Sequence, residues 1–120
     1  MVMKLIFLIL LGTLSLLASS KSYNRGEMLY FKKVCNGCHG INAKGGGIYP
    51  YLANKNKVYL IDRLKYFRKG KVYTQRQEIM VQFLLSFSDK EIEDIATYLS
   101  SHKVSEEDSV SSDLLGGFGS

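Results

Sequence analysis

Cysteine occurs only twice in this chain of 120 residues, histidine twice, proline once at Pro50, and tryptophan not at all. Cys35 and Cys38 stand three positions apart, so no disulfide framework can brace the chain. Alternation of apolar and polar residues with a strand period is missing, which sets aside a sheet-based fold. Beyond residue 20 no apolar run is long enough to cross a bilayer. What is present is globular in composition, with 46% hydrophobic and 22% charged residues, eight tyrosines and six phenylalanines. Wholesale disorder is excluded. A chain of this size still buries only a thin core, so some staple other than disulfides is required.

Residues 1–20 open with a base (Lys4), continue through an apolar run at 5–11 and through Leu14, Leu16, Leu17 and Ala18, and end in small residues. That is the plan of a secretory signal, with Ala18 and Ser20 suited to the cleavage positions. An uncleaved anchor is the competing reading. Gly12, Thr13 and Ser15 interrupt the run and leave it short of the roughly 20 apolar residues of a spanning helix. On either reading the rest of the chain is exported. Residues 21–103 hold fifteen bases and seven acids, a net charge of +8, whereas 104–120 hold four acids and no base. The expected organisation is signal, compact basic unit, and unstructured acidic tail rich in Ser and Gly.

Four helical patterns carry the all-α expectation. From an N-cap at Asn24, spacing by threes and fours puts Met28, Phe31, Val34 and Cys35 on one face of a first helix ending near the cysteines. A loop at 40–50 contains Gly45, Gly46 and Gly47 in succession, which lets the backbone approach another group closely. The second helix is expected to begin at Asn54 or Asn56, bury Leu60, Ile61, Leu64 and Phe67, and stop at Gly70, leaving Lys57, Asp62, Arg63, Lys65, Arg68 and Lys69 outward. A third stretch covers 78–87, with Ile79, Phe83 and Leu84 as its apolar residues. The fourth starts with a capping box at Ser88 and Glu91, and Ile92, Ile95, Ala96 and Leu99 then form an apolar stripe as far as His102.

The chemistry concentrates in Cys35-Asn36-Gly37-Cys38-His39. Two sulfurs three positions apart and an imidazole four positions after the first project from one helical turn. This geometry lets both cysteines bond the vinyl groups on one edge of a haem while the histidine reaches its iron. Such a cofactor would supply the missing staple. Three other chemistries use parts of the motif. A redox dithiol would need a preceding strand in an α/β pattern; a zinc site could draw on Cys35, Cys38, His39 and His102, although adjacent Cys38 and His39 suit it poorly; a short disulfide would leave His39 without a role.

A haem iron has a second axial position. Met1 and Met3 belong to the signal, and Met28 lies on the helix that already leads to the cysteines. Met80, 41 positions beyond His39, lies far enough along for the chain to return on the other haem face, and its thioether is the expected sixth ligand. Core packing beside Ile79 and Phe83 is the alternative role. His102 is the rival ligand, but at the end of the last helix a cationic side chain already suits the helix dipole.

The run Gly26…Tyr30…Cys35-Asn-Gly-Cys-His39-Gly40, Gly45-Gly46-Gly47…Pro50-x-Leu52, Leu60…Leu64…Phe67-Arg68-x-Gly70, Met80 and Ser88-Asp89…Ile92…Ile95-Ala96-x-Tyr98-Leu99 resembles a small bacterial monohaem class I c-type cytochrome over about residues 24–103. The resemblance implies about four helices wrapped around one covalently attached haem c. It implies that first and last helices cross through Gly26 and Tyr30 against Tyr98 and Leu99. It also implies that the Pro50 carbonyl accepts a hydrogen bond from the second nitrogen of His39. Met80 lacks the small or proline neighbours common around that ligand in the family.

With His39 and Met80 both bound, no iron position is free for oxygen or peroxide, so the expectation is a periplasmic one-electron carrier between respiratory partners, and not an enzyme. A haem c subunit of a larger oxidoreductase and a five-coordinate gas-binding protein are the alternatives. Lys32, Lys33, Lys44, Lys55 and Lys57 would steer acidic docking surfaces on membrane oxidoreductases, a terminal oxidase or a peroxidase toward the haem. The protein is expected to be a monomer. Nucleic acid is not an expected partner, and the glycine triplet lacks the following Gly-Lys-Ser/Thr of a phosphate cradle.

Overall fold

In the computed structural model, residues 1–104 are described. From residue 105 onward the acidic tail expected from sequence lies outside the described residues. Among those described, regular structure is helical: α1 (Val2–Lys32), α2 (Asn36–His39), α3 (Lys57–Arg68), α4 (Glu78–Leu84) and α5 (Asp89–Ser101), with a 3₁₀ turn at Gln75–Gln77 leading into α4. The fold is all-α, as the sequence pattern predicts.

The last helix is organised as its sequence demands. The Ser88 hydroxyl accepts from the Glu91 amide at 3.1 Å, and the Glu91 carboxylate accepts from the Ser88 amide at 2.9 Å, which satisfies two donors that a helix start leaves free. Ile92, Ile95, Ala96, Tyr98 and Leu99 are buried, and α5 packs against both α1 and α3. In α3, Asn56 is the N-cap, accepting from the Tyr59 amide at 3.1 Å. Leu60 and Phe67 are buried, Ile61 and Leu64 half-buried, and the chain leaves the helix through Gly70 at φ 77°. Of the expected outward face, Lys57 pairs with Glu93 at 3.6 Å, Arg63 lies over the Tyr73 ring at 4.5 Å, and Arg68 donates to the Phe87 carbonyl at 2.8 Å and pairs with Asp89.

The first helix differs from its expectation in three respects. It does not start at Asn24 but runs unbroken from Val2, so Asn24 is an interior position. It ends at Lys32, short of the cysteines, and Val34 turns the chain with φ 62° before α2 begins. Its buried residues are Gly26 and Tyr30, while Met28, Phe31 and Val34 of the apolar face read from the spacing are exposed. The physical reason is the partner: α1 crosses α5, and close crossing selects the face with the smallest residue. A Cβ added at Gly26 would lie 2.6 Å from the Asp94 carbonyl carbon and 2.8 Å from the Tyr98 Cβ. Tyr30 stacks at a tilt on Tyr98, with centroids 5.5 Å apart, and Tyr23 meets Tyr98 edge-on at 5.2 Å. Gly26 and Tyr30 against the last helix is the contact that the resemblance implies.

The third stretch is likewise shorter than expected. α4 ends at Leu84, and of the three apolar residues that mark the stretch only Leu84 is buried, whereas Ile79 and Phe83 are exposed. Phe87, just past the helix, is buried in their place. Here the helix makes only two turns against α3, too few for a full apolar stripe to find a partner.

Candidate functional site

Cys35, Cys38 and His39 occupy the single turn that includes α2. The turn is tied down from both sides. Cys35 N donates to the Tyr30 carbonyl at 3.0 Å, joining it to the end of α1, and His39 N donates to the Cys35 carbonyl at 2.9 Å. Tyr30, fully buried, donates its hydroxyl to the Gly40 carbonyl at 2.6 Å. Burial first, and then the neighbouring Cys35 and Tyr98, raise the Tyr30 pKa far above the phenol range, so this donor stays protonated.

His39 is buried, at 6% exposure. Its Nδ1 lies 3.1 Å from the Pro50 carbonyl oxygen. A carbonyl only accepts, so Nδ1 carries the proton and Nε2 keeps its lone pair. Burial lowers the His39 pKa against the opposing effect of the Pro50 bond, which favours the neutral ring that a metal ligand must be. The loop that delivers Pro50 folds back on itself: Gly45 N donates to the His39 carbonyl at 2.7 Å, Gly46 and Tyr49 exchange backbone hydrogen bonds of 3.0 Å, and Leu52 N donates to the Ala43 carbonyl at 2.8 Å.

Both cysteines are free thiols, Cys35 half-buried and Cys38 exposed. Burial pushes the Cys35 thiol up to about 11. A dithiol catalyst needs the opposite, a thiolate at neutral pH, and no strand precedes the motif among the described residues. The zinc alternative also lacks support, since no three His, Cys, Asp or Glu side chains gather as a metal-holding group among the described residues. A haem suits the same turn. It takes two free thiols and a lone-pair nitrogen presented together, and the compact unit leaves Val34, Ile41, Ile48, Val58, Ile79 and Phe83 as exposed apolar side chains. That surface is large for a core so small, as expected where a bound apolar group completes it.

Met80 lies in the first turn of α4, half-buried against the apolar cluster. The principal contacts of α4 are with α3 and the 3₁₀ turn. His102 caps α5, with its ring 5.2 Å from that of Tyr98 and its Nε2 buried without a hydrogen-bond partner. Two contributors escape a reading of the sequence. Tyr49 meets the His39 ring edge-on at 6.2 Å, and the neighbouring Cys38 raises its phenol pKa. Asp94, at 3% side-chain exposure, accepts from Ser22 at 2.6 Å and Arg25 at 2.9 Å. A polar residue beside an apolar stripe looks like any solvated one, and only the spacing of Ser22 and Arg25 on a helix hints at a shared acceptor.

Residues 23–103 match the cytochrome c family. The chain belongs to it. Cytochrome c members carry covalently attached haem c, which identifies the cofactor of this fold. Cytochrome c-552 of Acidithiobacillus ferridurans is 33% identical over 79 residues, 66% of this chain and 33% of that protein. Cytochrome c-554(548) of Halomonas halodenitrificans is 34% identical over 71 residues, 58% of this chain and 86% of that protein. Among solved structures, reduced recombinant cytochrome c4 from Pseudomonas stutzeri superposes with a TM-score of 0.63 at 24% identity, over 70% of this chain and 50% of that one, a likeness of fold. Cytochrome c4 of Acidithiobacillus ferrooxidans gives 0.58 at 30% identity, over 67% of this chain and 49% of that one. The chain thus spans a third of the Acidithiobacillus ferridurans protein and half of each cytochrome c4.

Proposed function

We propose that this cytochrome c is a periplasmic one-electron carrier whose haem is held by Cys35 and Cys38 and ligated by His39 and Met80. The observation that carries the reading is the buried, neutral imidazole of His39, its Nδ1 proton committed to the Pro50 carbonyl at 3.1 Å and its Nε2 lone pair left for iron. When bound, the haem supplies reversible one-electron exchange between ferric and ferrous iron. The chain's own residues do the rest. Cys35 and Cys38 fix the cofactor covalently, the Pro50 carbonyl orients His39 and increases its donor strength, and the Met80 thioether favours the reduced state. With His39 and Met80 both on the iron, no position would be left for a substrate, and the protein would pass electrons rather than catalyse.

The compact unit's +8 charge suits weak, fast docking to acidic surfaces on redox partners. Lys57 and Lys33 also have roles within the fold: Lys57 pairs with Glu93 at 3.6 Å, and Lys33 lies over the Phe87 ring at 5.3 Å. The N-terminal apolar helix serves export, as a signal or as a tether. Its most apolar 18-residue window has a mean hydropathy of 2.2 and none of it is buried.

The test is a redox-linked absorption spectrum of the exported protein. A low-spin, six-coordinate ferric form with an iron–sulfur charge-transfer band is expected, together with a ferrous form that does not take up carbon monoxide. Met80→Ala should abolish the band and open the ferrous protein to carbon monoxide. Ready binding of carbon monoxide by the wild type would overturn His/Met ligation and favour a gas-binding protein.

A further inference from the structure

The three consecutive glycines after the haem motif are not equivalent. Gly45 and Gly47 have nearly the same left-handed backbone, at φ 67° and 60°, and so carry a similar conformational penalty for any other residue. Their surroundings differ sharply. A Cβ on Gly47, or on Gly46, would meet nothing within 4 Å. On Gly45 it would lie 2.5 Å from the Pro50 carbonyl oxygen and 2.7 Å from its carbon, and closer still to the Tyr49 oxygen. These are backbone atoms, so no rotamer change relieves the collision.

The Pro50 oxygen is also the atom 3.1 Å from His39 Nδ1. The same oxygen thus lies where a Gly45 side chain would begin and within hydrogen-bond distance of the imidazole. Gly45 is tied to His39 a second time, through its amide on the His39 carbonyl at 2.7 Å. We infer that Gly45 is the positioning residue for His39: its missing side chain lets the Pro50 carbonyl seat against the imidazole N–H, and so sets the ring's orientation and its donor strength toward iron. Gly46 and Gly47 serve only the turn. The inference rests on His39 being the axial ligand.

The direction of the effect follows from the bond. An imidazole whose N–H is strongly accepted is a better donor and favours the ferric state. Displacing the carbonyl weakens that bond, so Gly45→Ala should raise the midpoint potential. Gly47→Ala has matching backbone strain and no collision, and should leave the potential at the wild-type value.

The experiment compares haem-loaded full-length wild type, Gly45→Ala and Gly47→Ala by potentiometric titration and by proton NMR of the ferrous form. The His39 Nδ1 proton in Gly45→Ala should exchange with solvent about tenfold faster than in wild type, the loss of roughly one hydrogen bond's protection, while Gly47→Ala exchanges as wild type. Equal exchange rates and potentials in the two variants would overturn the inference. Absence of a haem ring-current shift on the His39 ring protons of the wild type would instead overturn the ligation on which it rests. Where Gly45→Ala fails to accumulate as holoprotein, the wild type decides. Exchange of the Gly45 amide and the His39 Nδ1 proton within about tenfold of each other marks one shared opening; a freely exchanging Gly45 amide beside a protected imidazole proton overturns the inference.

Discussion

At the scale of single residues, Asp94 is the charge with the most unusual surroundings. It sits under the α1–α5 crossing with Ser22 and Arg25 on one helix and Lys90, 3.5 Å away, one turn back on its own. Burial alone would raise its pKa, but the Arg25 and Ser22 hydrogen bonds and the two positive charges prevail and hold it below the ordinary value of 3.8. A carboxyl depressed in the fold contributes stability that is fully present above its unfolded pKa and is lost as pH falls through its native one. Asp94→Ala should therefore cost about 2 kcal/mol at neutral pH, a figure kept modest because Arg25 is partly solvated. Denaturant unfolding at a series of pH values checks both points: the wild type should lose part of its stability below pH 4, and the gap between wild type and variant should close there.

At the scale of elements, the α1–α5 crossing depends on Gly26 in the way that the haem turn depends on Gly45. Gly26→Ala would place a methyl group into the Asp94 backbone and the Tyr98 Cβ, and neither can rotate away. Overpacking of this kind typically costs about 1–3 kcal/mol, against the small gain in helix propensity that alanine brings elsewhere. A thermal melt of the holoprotein should show a clear drop in midpoint, and an unchanged or higher midpoint would mean that the helices can separate at little cost. The same crossing explains where the sequence was legible. α5 could be read almost residue by residue, because Ser88 and Glu91 mark its start and because two neighbours, α1 and α3, use its whole apolar stripe. α1 and α4 could not. On α1 the periodic apolar residues Met28 and Phe31 point away from α5 because contact falls on a glycine, a residue that hydrophobic periodicity does not count. On α4, Ile79 and Phe83 satisfy the pattern while the core takes Leu84 and Phe87. The haem turn was legible in its reactive atoms, Cys35, Cys38 and His39. The Tyr49 contact on His39 and Cys38 was not, since it arises from a loop whose path is set by hydrogen bonds between backbone groups.

At the scale of the whole molecule, the apolar cluster is small, and several large apolar side chains of the compact unit remain exposed. A domain of about 80 residues with so little core is marginal without a staple. The double variant Cys35→Ala, Cys38→Ala, produced in a haem-maturing host, should lack haem on a denaturing gel and should lose its cooperative thermal transition while keeping part of its helical circular dichroism. A sharp transition in this haem-free chain would show that the helices suffice by themselves.

Helix α1 passes from the apolar segment into the folded unit without a break, and the grip of Ser22 and Arg25 on Asp94 begins just beyond that segment. Mechanically the two parts form one shaft keyed to the body of the protein, with no swivel between them. In any form that keeps the segment in a bilayer, the compass bearing of the haem edge relative to the membrane would be set by residue count. Each residue inserted between the segment and Ser22 would turn the domain by about 100° and lift it by about 1.5 Å.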